Sequence, residues 1–369
     1  MLWQAESGYD GTSFAFSFVM VKYSCRNSEK RYFWQEAVSL RIDQNKIERV
    51  LVIGLSCLGD MVMASAALWN LRLFLPKAEF TLWVGPRALA ALSEDPMWDK
   101  IRIYDRGGEF SGFKGRLRAI KLMRQEKYDL IVDLRATAMP LFSGARYAPL
   151  WGLREVFLPK TLHEAERTLQ ALTSLGIPIR IRQLRFFVPF ETKEMVKTKY
   201  KDELKDRKLV IFNPGANWPP KRWPVEGFVS LGKRLISEFG AVIGVIGYSE
   251  EERALGMEVL KGLQEINALD LTGKVPLTEL GALLGMASLF VTNDTGTLHI
   301  GSAVGVPVVG LYGPSSPERY GPWGTRHRVV APSLPCAPCV GKECVYGDFA
   351  CMSKIGVDEV FSACAELLV

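Results

Sequence analysis

The sequence predicts an α/β protein of two domains, each built from a parallel sheet covered by helices. Short apolar runs alternate with longer amphipathic stretches, this alternation occurs twice, and a basic, polar stretch separates the two rounds. With 369 residues, the chain is also long enough for two cores, because a domain usually holds about 100–200 residues.

The first round of alternation opens with an apolar strand at residues 50–54. A loop containing Gly59 and Asp60 follows, and then a helix predicted to begin at Met61 and to end near Pro76. The stretches AEFTLWVGP and YDLIVDLRAT predict two further strands, each after a helical segment. We therefore place an N-terminal domain at residues 46–190. Residues 1–45 mix aromatic and polar side chains and remain an extension without an assigned role.

The second round follows ETKEMVKTKYKDELKDRK, which predicts an exposed helix and a linker at residues 191–207. A strand in KLVIFNPG, a helix ended by Gly240 and an apolar strand in AVIGVIGY then repeat the earlier pattern. This second domain spans residues 208–355, and residues 356–369 form a C-terminal helix. Two such domains place a cleft between the carboxyl ends of their sheets, where open α/β sheets bind ligands.

An Asn-Asp-Thr-Gly cluster follows the last predicted strand and precedes a helix. Asn293 or Asp294 is a candidate N-cap, Thr295 adds a hydroxyl donor, and Gly296 lets the backbone approach a ligand closely. A helix that begins here presents unpaired N–H groups and the positive end of its dipole, which together bind anions. From spacing alone, a cap without a ligand explains Asp294 equally well.

The composition limits the classes of partner. The net charge of +6 includes no block of Lys and Arg typical of nucleic-acid binding, and it suits an anionic small molecule or an anionic surface better. No apolar run approaches the roughly 18 residues that a membrane span needs. The N-terminus also lacks the pattern of a signal peptide, so we expect a cytoplasmic location.

Four of the seven cysteines form the pattern C-x2-C-x4-C-x6-C. They are Cys336, Cys339, Cys344 and Cys351. Four thiolates could hold a zinc ion, or two disulfides could form in an oxidising compartment. The spacing after the first pair is shorter than in common zinc modules, so ordinary loop cysteines are the default interpretation.

Three separated motifs resemble glycosyltransferase family 9, the ADP-heptose:lipopolysaccharide heptosyltransferases. They are IGLSCLGDMVMASAALWNLRLFLPKAEF, NPGANWPPKRWP and NDTGTLHIGSAVGVPVVGLYGPSSPERYGPWG, and the resemblance runs from about residue 47 to the C-terminus. The lipopolysaccharide heptosyltransferase II branch is most similar, because its members often carry a similar Cys-rich loop. The resemblance implies a GT-B fold of two Rossmann-like domains. It also implies inverting transfer of L-glycero-D-manno-heptose from ADP-heptose to the lipopolysaccharide inner core, with the second heptose as the expected product.

The resemblance assigns chemistry to Asp60 and Lys221. Asp60 matches the aspartate of the family's Gly-Asp motif, which implies a general base, although a helix N-cap explains it as well. Lys221 matches a lysine near the donor phosphates, with Arg222 as a neighbour that shares or replaces this role; the alternative is a surface Lys-Arg pair. The flanking Trp and Pro residues predict a rigid loop here.

The remaining candidates bind substrate. Thr295 and Gly296 would take the diphosphate, and Asp294 would order the turn or contact the sugar. Gly59 shapes the loop before Asp60, although Cys57 stands where many family members have a small hydroxyl residue. Glu250 is the first of three glutamates after a strand, where one carboxylate could accept hydrogen bonds from a ribose; a solvated charge run is the alternative for at least two of them. His299 is a further binding candidate, but a lone helical histidine is more often a packing residue.

The expected partners are ADP-heptose and a lipid A-linked inner-core acceptor, with no nucleic acid and no required cofactor. No D-x-D pair occurs where a metal-dependent transferase needs it, so metal-independent transfer is expected. The basic charge suggests peripheral contact with the inner membrane. Alternatives are a related transferase with another donor or acceptor, an epimerase on the same architecture, and a non-catalytic nucleotide-sugar-binding protein.

Overall fold

The computed structural model describes residues 42–135, 137–149, 161–264, 267–339, 344, 347 and 350–369. The extension predicted at residues 1–45 lies outside this range, except for its end, where a short 3-10 helix spans Gln44–Lys46. All statements below concern the described residues.

The first sheet has four parallel strands in the order β3-β2-β1-β4. Its strands are β1 Arg49–Ile53, β2 Glu79–Val84, β3 Lys100–Ile103 and β4 Leu130–Asp133. The helices that accompany it are α1 Leu58–Phe74, α2 Pro86–Leu92, α3 Gly112–Glu126 and α4 Glu164–Thr173, with a 3-10 helix at Met139–Phe142. Strands β1, β2 and β4 are almost entirely buried, as expected of parallel strands covered on both faces.

The second sheet has six parallel strands in the order β10-β9-β8-β5-β6-β7. Its strands are β5 Leu209–Asn213, β6 Val242–Val245, β7 Ala268–Asp270, β8 Leu289–Asn293, β9 Val308–Leu311 and β10 His327–Val330. Helices α5 Phe190–Lys199 and α6 Lys201–Leu204 precede it. Its further helices are α7 Val225–Phe239, α8 Glu250–Leu263, α9 Leu277–Met286, α10 Gly296–Val304, α11 Pro317–Tyr320, α12 Ala350–Ser353 and α13 Val357–Leu368, with a 3-10 helix at Pro219–Lys221.

The predicted α/β class is confirmed, and so is the predicted end of α7. Gly240 follows this helix with a φ of 62°, a left-handed conformation that glycine adopts without a Cβ penalty. The segment predicted as an exposed helix and linker, residues 191–207, contains most of α5 and all of α6, and Val196 and Leu204 are buried, so it packs against the protein. Helix α13 packs on the second sheet and on α7.

Strands β3 and β10 were not predicted, because both are four-residue edge strands that mix basic with apolar residues, KIRI and HRVV, instead of forming an apolar run. Their charged side chains reduce edge-to-edge pairing with other chains. None of the helices in the described ranges combines the length and the apolar character that crossing a membrane requires.

Each sheet reverses its strand order at one point. In the first sheet this point lies between β1 and β4, which pair Ile53 with Asp133. In the second it lies between β5 and β8, which pair Asn213 with Thr292. The crevice beyond the carboxyl ends at such a point is where open α/β sheets bind ligands. The loops after β1, β5 and β8 carry the residues singled out in the sequence.

Candidate functional site

The N-termini of α1 and α10 meet at two glycines. A Cβ added at Gly59 would lie 2.9 Å from Gly296 Cα and 3.1 Å from His299 Cδ2, so only glycine allows this approach without a shift. Neither helix has a side chain that hydrogen-bonds its first N–H groups. Two uncapped helix N-termini therefore converge in one place, and both offer backbone donors and positive partial charge to an anion.

The N-cap interpretations of Asp60 and Asp294 are wrong. Helix α1 begins at Leu58, ahead of the predicted Met61, so Cys57 is its N-cap and Gly59 and Asp60 lie within its first turn. Helix α10 begins at Gly296 with Thr295 as its N-cap. Both carboxylates are thus left for other contacts.

Asp60 lines a cavity of about 230 Å³ between the two sheets. The lining comes from both halves of the chain: Leu55, Asp60, Met63, Leu134, Glu164, Thr168, Arg319 and Tyr320. Glu164 pairs with Arg319, which joins the first turn of α4 to α11. Neither Glu164 nor Arg319 was singled out from the sequence, because neither belongs to a motif that predicts its neighbours.

The pKa of the Asp60 carboxyl lies above its ordinary value. Burial is the main cause, and the negative charge of Glu164 raises this pKa further. A hydrogen bond with Cys57 lowers it, while Asp294 and Lys221 act in opposite directions. Asp60 therefore shares one electrostatic environment with residues of the second sheet and has the raised basicity that suits a proton acceptor.

Lys221 and Asp294 form an ion pair at the start of α10. The Lys221 ammonium donates to Asp294 Oδ2 at 2.6 Å. The Asp294 side chain is buried, whereas the Lys221 side chain is 26% exposed. The structure thus joins the PPKRWP loop, which contains the 3-10 helix Pro219–Lys221, to the end of β8. It places a fixed positive charge beside the uncapped N-terminus of α10.

Asn213 holds three threonine hydroxyls at the carboxyl end of β5. Its Nδ2 lies 3.3 Å from Thr292 Oγ1, 3.1 Å from Thr295 Oγ1 and 2.8 Å from Thr297 Oγ1. Thr295 and Thr297 are also 2.9 Å apart through their hydroxyl oxygens. The cluster orients the hydroxyls at the helix start. Only Thr295 was predicted; the position of Asn213 directly before a Pro-Gly turn was the one available signal for the others.

Asn293 and Arg222 fix the loops around this site. The fully buried Asn293 accepts a hydrogen bond from Trp223 N at 3.1 Å and donates to Pro214 O at 2.9 Å. The Arg222 guanidinium donates twice to Ala216 O, at 2.8 and 2.7 Å, and pairs with Glu251. Arg222 therefore holds the loop after β5 in place, and its binding role stays a prediction.

The three glutamates at the start of α8 differ in their contacts. Glu252 forms a capping box with Ser249, and Glu251 pairs with Arg222. Glu250 is exposed at the first helical position, where its predicted contact with a ribose stays a prediction.

His299 is buried next to Gly59, with its Nδ1 without a hydrogen-bond partner among the described residues. Burial lowers the pKa of His299 to about 4, so its imidazole is neutral near pH 7. It therefore adds no cation at the glycine contact, and its predicted role in binding stays a prediction.

The Cys-rich loop is only partly described. Cys351 is buried, with its sulfur above Gly313, whereas Cys336, Cys339 and Cys344 are half-buried. In the ranges given above, no three His, Cys, Asp or Glu side chains are arranged so that they could hold a metal ion. Whether the four cysteines act as zinc ligands or as ordinary loop cysteines stays a prediction.

Comparisons with known proteins identify the family of the chain. A sequence profile of glycosyltransferase family 9 (heptosyltransferase) matches residues 144–350. The lipopolysaccharide heptosyltransferase 2 of Escherichia coli K12 is 26% identical over 306 residues, which cover 76% of this chain and 87% of that protein.

Two solved structures share the fold over nearly their whole length. The ADP-heptose lipopolysaccharide heptosyltransferase II of E. coli aligns with a TM-score of 0.67 at 25% identity, covering 87% of this chain and 98% of that one. A family 9 glycosyltransferase from Veillonella parvula DSM 2008 aligns with a TM-score of 0.75 at 24% identity, covering 89% of this chain and 99% of that one. The expected GT-B architecture is confirmed. The chain belongs to glycosyltransferase family 9.

Proposed function

We propose that this protein is an inverting glycosyltransferase that moves L-glycero-D-manno-heptose from ADP-heptose to the inner core of lipopolysaccharide, with the second heptose as its product. The observation that carries the proposal is the position of Asp60. Its half-buried carboxyl lines a cleft cavity, next to the meeting point of two uncapped helix N-termini. The similarity to E. coli heptosyltransferase 2 supports heptose as the sugar.

In the proposed complex, the donor diphosphate binds at the N-terminus of α10. Backbone N–H groups from Gly296 onward, the Thr295 hydroxyl and the Lys221 ammonium supply donors and positive charge there. Asp294 holds the ammonium in position. These groups offset the negative charge that develops on the departing ADP, so the proposed reaction requires no metal ion.

Asp60 acts as the general base in a single displacement. The acceptor hydroxyl oxygen forms the new bond to the anomeric carbon as the bond to the diphosphate oxygen breaks. The proton moves to the Asp60 carboxylate, and the electron pair of the broken bond leaves with ADP. Attack opposite the leaving group inverts the anomeric configuration. The raised pKa of Asp60 makes its carboxylate a stronger base, which favours proton transfer from the acceptor hydroxyl.

The test of the proposal is a transfer assay with defined donors and acceptors. ADP-heptose, ADP-glucose and UDP-glucose are each offered with core oligosaccharides that carry no, one or two heptoses, and products are identified by mass spectrometry and by NMR of the new anomeric centre. Of the three donors, we expect only ADP-heptose to be used. We expect transfer onto the acceptor with one heptose, with inversion of the anomeric configuration. Transfer onto a different acceptor would revise the assigned position, and transfer from another donor would replace the proposed sugar.

We place the reaction at the cytoplasmic side of the inner membrane, where a soluble nucleotide sugar meets a lipid-linked acceptor. Cell fractionation tests this location. Recovery of the chain outside the cytoplasmic and inner-membrane fractions would contradict it.

Replacing Glu164 with Gln is expected to move the acid limb of the pH–kcat/KM profile to lower pH. The Glu164 charge raises the pKa of Asp60, so its removal lowers this pKa and keeps the base ionised further into the acid range. Gln keeps a similar shape beside Arg319. Glu226→Gln, at an exposed position in the first turn of α7, is the control and should leave the limb unmoved. An unmoved limb in Glu164→Gln would mean that another group controls it.

Replacing Gly59 with Ala is expected to lower kcat/KM by roughly tenfold, because the added methyl forces α1 and α10 apart and displaces Asp60 from the donor. The nearest atom to the new Cβ is a backbone carbon at 2.9 Å, which has no rotamer to escape to. Gly296→Ala meets its nearest atom at 3.3 Å and should have a smaller effect.

The matched control is Gly85→Ala, because Gly85 has a φ of −67° and nothing within 4 Å of an added Cβ. Steady-state kinetics of the three variants should rank Gly59→Ala lowest and Gly85→Ala near the wild type. Equal activity of Gly59→Ala and Gly85→Ala would show that the glycine contact is not needed for transfer.

A further inference from the structure

Helix α3 presents an apolar pair on its solvent-facing side. Gly115, Ala119 and Met123 form its buried stripe. On the opposite side, Phe113 is 74% exposed and Leu117 is 50% exposed, one helical turn apart. Large apolar side chains at such exposure, grouped on one face, mark a surface that another phase or partner covers.

Basic side chains surround this apolar pair. Lys114, Arg116, Lys121 and Arg124 are all exposed, and none forms an ion pair with a described residue. The helical periodicity places Lys121 and Arg124 on the same side as Leu117, with Lys114 beside them. The acidic Glu126 lies elsewhere and pairs with Arg102. The outward side of α3 therefore combines apolar tips with uncompensated positive charge.

A second apolar pair lies at the end of α3. Leu141 and Phe142 are 51% and 56% exposed in the 3-10 helix that follows β4. Arg124 Nε donates to Phe142 O at 2.7 Å, which fixes this pair beside the helix. We define the α3 surface as Phe113, Lys114, Leu117, Lys121, Arg124, Leu141 and Phe142.

We propose that the α3 surface docks on an anionic lipid bilayer. The exposed apolar side chains insert at the boundary of headgroups and acyl chains, while the lysines and the arginine face lipid phosphates. The charge of the surface selects this occupant. A second copy of the chain would bring the same cations face to face, and like charges oppose such pairing.

Docking through α3 has a consequence for the cleft. Helix α3 leads directly into β4, the strand beside β1, and the Asp60 loop follows β1. The domain that contacts the bilayer is thus the one that carries the proposed base. A lipid-linked acceptor would reach this domain without leaving the membrane surface, a consequence that rests on the proposed function, whereas the docking itself does not.

Vesicle co-sedimentation tests the docking without donor or acceptor. The full chain is mixed with vesicles of phosphatidylcholine alone and of phosphatidylcholine with phosphatidylglycerol, at low and high salt. We expect binding to the anionic vesicles that weakens with salt, because the Debye length shortens. Lys114→Gln combined with Lys121→Gln should lower the partition coefficient roughly 25-fold, since each basic residue near the surface contributes about fivefold. Phe113→Ser combined with Leu117→Ser should also lower it.

Two surface replacements elsewhere serve as controls. Phe190→Ser removes an exposed aromatic residue from α5, and Lys233→Gln removes an exposed cation from α7. Both controls should bind vesicles as the wild type does. All variants should keep transfer to a deacylated, soluble acceptor, so a failure of docking and a failure of the proposed function give different results.

Three outcomes would overturn the proposal. The first is a wild type that fails to sediment with anionic vesicles, and the second is a set of α3 variants that sediment as well as the controls. The third is a wild-type dimer in size-exclusion chromatography that is absent in the α3 variants, which would identify a second copy as the occupant.

Discussion

Replacing Asp60 with Asn is expected to lower kcat by about 10³-fold, within the range that a general base contributes. Asn keeps the shape of the side chain but cannot accept a proton. The variant should bind ADP-heptose as the wild type does, because the proposed donor contacts lie at α10 and Lys221. Single-turnover transfer and equilibrium binding of ADP-heptose measure the two quantities separately. A variant that retains more than about a tenth of the wild-type rate would contradict the base assignment.

The same replacement, Asp60→Asn, is expected to stabilise the folded protein although it lowers activity. A carboxyl whose pKa is raised by folding favours the folded state when it is protonated, and this contribution is lost as the pH rises through its folded pKa. Above its folded pKa, the ionised Asp60 therefore destabilises the fold, and Asp60→Asn should melt at a higher temperature than the wild type in that pH range. The difference should shrink as the pH falls toward the ordinary aspartate value of 3.8. A lower melting temperature at pH 7 would instead indicate a structural role.

The fold was predictable because its information is local. Apolar runs such as residues 209–213 and 289–293 are short, are buried on both faces and are bounded by turn residues. Edge strands carry weaker signals, and β3 was missed because alternating basic and apolar residues occur equally in loops.

The site was predictable only in part. Asp60, Lys221, Asp294 and Gly296 belong to motifs, so their positions could be read along the chain. Their partners could not, because the pairing of Lys221 with Asp294 and the contact of Gly59 with Gly296 join segments that are far apart in sequence.

The wrong capping interpretations have the same origin. An aspartate near a helix start is a good local candidate for an N-cap. The observed helix start can differ from the predicted one by about a turn, because tertiary contacts also determine it. Helix α1 begins three residues earlier than predicted, so Asp60 faces the cleft cavity instead of the helix end.

Replacing Lys221 with Met is expected to lower kcat by about 10²-fold, because one preorganised positive group at the leaving diphosphate is lost. The replacement also leaves the buried Asp294 without its partner at 2.6 Å. We expect a loss of about 2 kcal/mol in the free energy of unfolding, less than for a fully buried pair, because Lys221 is partly exposed. Urea unfolding and steady-state kinetics measure the two effects.

The double variant Lys221→Met with Asp294→Asn separates catalysis from stability. Removing both charges restores the free energy of unfolding, because no unpaired carboxylate stays buried. If Lys221 acts on the diphosphate, the restored fold still transfers heptose about 10²-fold more slowly than the wild type. Recovery of transfer together with stability would show that Lys221 serves only to neutralise Asp294. The exposed Lys233→Met is the control, and it should change neither quantity, since a solvent-exposed lysine contributes little to stability and lies outside the site.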